Sequence, residues 1–83
     1  MFKYIWRHSP TLTAQPEECL KNILYENNDT ACEMAVFKLT NEKYCFVKFL
    51  TDDVNNTECG ATDIEEFETE NEAVELFNEL SWE

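Results

Sequence analysis

The sequence predicts an α+β fold: one antiparallel sheet of three to four strands, two helices packed on one face, in the order β-α-β-β-(β)-α. Three observations point to it. Two adjacent apolar runs, CEMAVFKLT at 32–40 and KYCFVKFL at 43–50, flank the polar step Asn41-Glu42 and read as a hairpin. A stripe of apolar residues at helical spacing precedes them. A capped, amphipathic helical pattern closes the chain. With 83 residues, 43% of them hydrophobic and including two Trp, three Tyr and six Phe, there is material for one packed core, so residues 1–83 read as a single domain.

Residues 2–8 alternate Phe2, Tyr4 and Trp6 against Lys3, Ile5 and Arg7, the two-residue period of a strand, and Pro10 ends it. Thr13 is placed to cap a helix that tolerates Pro16 in its first turn. Leu20, Ile23 and Leu24 form its apolar stripe, and NND at 27–29 stops it. If Asn41-Glu42 is the whole hairpin loop, Leu39 faces Tyr44, Phe37 faces Phe46, Val36 faces Val47 and Met34 faces Phe49. That pairing gathers Phe37, Tyr44 and Phe46 on one face, as core or as an apolar contact for a partner or a second copy. Residues 51–62 read as a loop around Gly60, the only glycine, and IEEFE at 64–68 as a short edge strand whose charge discourages aggregation. Thr69 and Glu72 make a capping box for a last helix from Glu70 to about Trp82.

The charge is segregated. Residues 1–48 hold six acids and six bases, whereas residues 49–83 hold twelve acids and no base, so the net charge of −12 resides in the last 35 residues. Such a chain is expected to avoid direct contact with nucleic acid, which needs a basic surface, and to attract a basic protein surface. The four cysteines, Cys19, Cys32, Cys45 and Cys59, form no C-x-x-C pair and read as free thiols rather than metal ligands. His8 is the only histidine, and one glycine cannot build a phosphate-cradling loop. The expectation is a non-enzymatic protein without cofactor or metal. The start, MFKYIWRHSP, lacks the uninterrupted apolar stretch of a secretory leader, and no run is long enough to span a bilayer, so a cytoplasmic location is expected.

On a helix, Glu72, Glu75, Glu79 and Glu83 fall within an arc of about 80°, apart from the arc of Ala73, Leu76, Phe77 and Leu80 assigned to the core. Glutamate on a surface helix ordinarily serves solubility and helix propensity. Here, however, successive members of the stripe repel one another by about 0.2–0.5 kcal/mol per pair. Glu79 and Glu83 also sit at the end of the helix where anions are disfavoured. The stripe places a carboxylate every ~5.5 Å, sparser than the ~3.4 Å phosphate repeat of a DNA strand. Asp52, Asp53, Glu58, Asp63, Glu65, Glu66 and Glu68 would raise that density. In size, acidity and single-domain build the whole chain resembles small phage-encoded inhibitors of CRISPR and restriction systems. The resemblance implies a protein that occupies a nucleic-acid-binding site of a CRISPR effector or other DNA-handling complex. The candidate partner-binding residues are Asp63, Glu65, Glu66, Glu72, Glu75 and Glu79, with Trp82 either an aromatic anchor or a cap on the core.

Two rival readings stay open. An immunity or antitoxin-type protein would neutralise a basic toxin by the same charge. Alternatively, YCFVKF at 44–49 resembles part of the RNP1 strand of the RRM family, matching at Tyr44, Phe46, Val47 and Phe49. Glu42 and Lys43 stand where that family has its basic residue and glycine, and Cys45 replaces the small residue. The resemblance implies a sheet face on which Tyr44 and Phe46 stack on RNA bases.

Overall fold

The computed structural model describes residues 4, 12, 14–56 and 58–80. Four strands, β1 (Pro16–Glu26), β2 (Ala31–Leu39), β3 (Tyr44–Thr51) and β4 (Ala61–Phe67), precede one helix, α1 (Glu70–Leu80). The strands form a single antiparallel sheet in the order β1-β2-β3-β4, each beside its neighbour in sequence. The α+β class and the antiparallel sheet are as expected, but among the described residues one helix lies on the sheet rather than two. The strand expected at 2–8 lies outside the described residues except for Tyr4.

The helix expected from Thr13 onward is a strand. In β1 the apolar residues Leu20, Ile23 and Tyr25 all pack on the α1 side of the sheet, although Leu20 and Ile23 are three apart, an odd spacing that a regular strand would send to opposite faces. The register shift between Cys19 and Lys21 resolves this. It leaves Leu20 as the extra residue of a bulge, which changes the parity of the strand. A bulge thus reproduces the spacing of a helical stripe. Leu24 points to the other face, and Asn27–Thr30 forms the turn into β2, closed by the Asn27 N–H donating to Thr30 O at 2.8 Å.

The β2–β3 hairpin exists, but its register is one residue from the expected one: Val36 lies opposite Phe46, Phe37 opposite Cys45 and Met34 opposite Lys48. The cause is the loop. Leu39 O accepts the Glu42 N–H at 3.1 Å, and the Leu39 N–H donates to Lys43 O at 2.8 Å. This makes a three-residue loop, Thr40-Asn41-Glu42, in which Glu42 takes a left-handed conformation with φ of 67°. Phe37 therefore does not share a face with Tyr44 and Phe46.

Both faces of the sheet are apolar, and each carries a packed core cluster. On one side α1 lays Ala73 and Phe77 over Met34, Val36 and Phe46, with the Phe46 and Phe77 rings edge to face at 6.5 Å. On the other side Tyr4, with Leu12 and Ala14 at its margin, packs with Ala35, Phe37, Leu39, Val47 and Phe49, and the Tyr4 ring stacks parallel to Phe49 at 6.1 Å. Tyr4 is held there by polar bonds as well. The Tyr4 N–H donates to Oε1 of the fully buried Glu33 at 2.7 Å, and its hydroxyl to Glu26 Oε2 at 2.5 Å. Asn22 Nδ2 donates to Glu33 Oε2 at 3.3 Å, so this carboxylate is satisfied inside the core.

Candidate functional site

Two elements carry the acidic candidates. In β4 the two-residue alternation sends Asp63, Glu65 and Phe67 to the α1 side, while Glu66 lies on the Tyr4 side opposite Cys45. Helix α1 begins at a cap: the Glu72 N–H donates to Thr69 Oγ1 at 3.3 Å, and the Thr69 hydroxyl donates to Glu72 Oε1 at 3.0 Å. The cap anchors the phase of the helix, and burial of Ala73 and Phe77 turns Glu72, Glu75 and Glu79 outward, where all three are exposed.

These placements converge. Glu65, Glu72, Glu75 and Glu79 line one shallow groove between β4 and α1, floored by Phe67 and Leu76. Among the described residues no base lines it. Asp63 belongs to the adjoining depression, which also takes in Lys48, the residue opposite it in the β3–β4 ladder. Glu66 is not part of this surface, because strand alternation points it to the other face, where it is half-buried. Trp82 lies outside the described residues. Lys43 approaches Glu68 at 3.4 Å. Both side chains of that pair are solvated, so its attraction is weak, and it sits outside the groove.

Phe67 and Leu76 are the groove residues that charge alone did not single out. Their signal was present as phase: Phe67 is two residues from Glu65 along β4, and Leu76 lies beside Glu72, Glu75 and Glu79 on the helix surface. The hairpin face drawn from the RRM resemblance is differently placed. Phe46 is buried beneath α1 and Phe37 is buried on the opposite side, so these rings pack the core rather than stand open for bases.

His8 lies outside the described residues. Burial pushes the thiols of Cys32 and Cys45 up, that of Cys45 to about 11, which keeps them protonated and poorly nucleophilic at neutral pH. Among the described residues no group of three His, Cys, Asp or Glu is arranged to hold a metal ion. No described helix is long and apolar enough to cross a membrane. The chain matches no family model, no curated protein and no solved structure.

Proposed function

We propose that this chain is a non-enzymatic acidic inhibitor that binds a basic, nucleic-acid-binding surface of a partner protein and blocks nucleic-acid access. The observation that carries the reading is the groove in which Glu65, Glu72, Glu75 and Glu79 converge from two elements, with no base among its described lining residues. Helix and strand together supply a denser array of carboxylates than the helix alone, closer to the charge density of a phosphate backbone. Like charges held this close cost stability, and a partner's lysines and arginines would relieve that cost. The resemblance in size and acidity to phage-encoded inhibitors makes a CRISPR effector the first target to try.

Capture of partners from a host lysate tests the reading. Bound proteins should be retained at low salt, released at high salt, displaced by competing duplex DNA, and lost with a Glu72→Lys/Glu75→Lys/Glu79→Lys chain. Capture that resists DNA competition but still depends on the three glutamates would instead favour neutralisation of a basic toxin. Capture unchanged by the three reversals would sink both.

A further inference from the structure

Among the described residues two large apolar side chains stand exposed, Leu50 at 51% and Leu80 at 38%. They line one depression on the α1 side of the sheet together with Tyr25, Cys32, Met34 and Lys48. It lies where α1 ends and the sheet continues, so among the described residues the last turn of the helix stops short of the ends of β1, β2 and β3. This depression shares Lys48 and Leu80 with the next one, which in turn shares Glu65 and Leu76 with the acidic groove. The result is one continuous surface, apolar at one end and acidic at the other.

We propose that its occupant is an amphipathic basic segment of the partner, whose apolar side chains seat between Leu50 and Leu80 while its lysines or arginines reach Glu65, Glu72, Glu75 and Glu79. The inference rests on the acidic-inhibitor reading and adds to it an apolar anchor and a partner chemistry. Charge complementarity selects the occupant. A second copy would bring two acidic surfaces of a chain of net charge −12 together, and an anionic lipid surface would be repelled in the same way. A purely basic strand or loop would leave the apolar end unsatisfied. A helix with apolar residues at i, i+3, i+4 and i+7 and bases on its flanks satisfies both ends.

The test titrates the full chain with a labelled helical peptide of lysine and leucine, and with a lysine–alanine peptide of equal length and charge. The leucine peptide is expected to bind about tenfold more tightly, as burial of one leucine allows. Leu50→Thr, which places a strand-favouring β-branched residue in β3, and Leu80→Ala should each remove most of that advantage while leaving the alanine peptide unaffected. The three Glu→Lys reversals should weaken both peptides. Equal binding of the two peptides, still lost on charge reversal, would overturn the apolar anchor and leave the acidic reading standing. Binding of neither would remove the support for both. Tighter leucine-peptide binding by a Trp82→Ala chain would also overturn the proposal, because the groove would then be occupied by the chain's own last residues.

Discussion

Gly60 has a φ of +130°, and a Cβ built on it would fall 2.5 Å from Cζ of Phe49, a fully buried ring. Neither the backbone conformation nor the packing admits a side chain there. Gly60→Ala should therefore destabilise by about 2–3 kcal/mol, lowering the melting temperature by roughly 10–20 °C in a thermal scan. Cys45 gives a second residue-scale outcome. Burial raises its thiol from 9.0 to about 11 in the folded chain. The folded state therefore keeps a proton that the unfolded state loses first. Its contribution to stability is present below about pH 9 and disappears as pH rises toward 11. Denaturation midpoints across that window should fall more steeply for the natural chain than for Cys45→Ala, which has no proton to lose there.

At the scale of elements, α1 combines a favourable start with an unfavourable end. Thr69 and Glu72 cap its first turn, whereas no base occupies its last turn and Glu79 does. Glu79→Lys replaces repulsion from Glu75 with attraction and matches the helix dipole. It should stabilise the chain by about 1 kcal/mol in urea unfolding, while weakening partner binding. A gain in stability paired with a loss of binding separates a residue kept for contact from one kept for folding. The end strand β4 shows the same division of labour. Its alternation delivers Asp63 and Glu65 to the α1 side, and its charge guards the end of the sheet where β4 stands last among the described strands.

Across the whole molecule, twelve acids and no base fall within residues 49–83, so like charges press this part of the chain against itself. Raising ionic strength from about 0.01 M to about 0.15 M shortens the screening length from roughly 30 Å to roughly 8 Å. The melting temperature of the free chain should rise over that range, while capture of a basic partner falls. A melting temperature insensitive to salt would mean that the carboxylates are already compensated. The two cores, one on each side of the sheet, also give Tyr4 a structural role, since it packs on the side that α1 does not reach.

Charge segregation, the capped closing helix, the two central strands and the short strand β4 were legible in the sequence, because each depends on composition or on patterns local in the chain. The stripe Glu72, Glu75 and Glu79 needed only the helical period and the cap at Thr69. Tertiary pairing decided the rest. Leu20 and Ile23 have the same spacing in a helix as across a β-bulge, and only the long ladder with β2 selects the strand. The hairpin register turned on one left-handed residue, Glu42, whose side chain carries no preference for that conformation. One residue of slip sent Phe37 and Phe46 to opposite faces, since strand side chains alternate with a period of two. The acidic groove itself joins residues from a strand and a helix, and no pattern along the chain records that Glu65 meets the helix while Glu66 turns away.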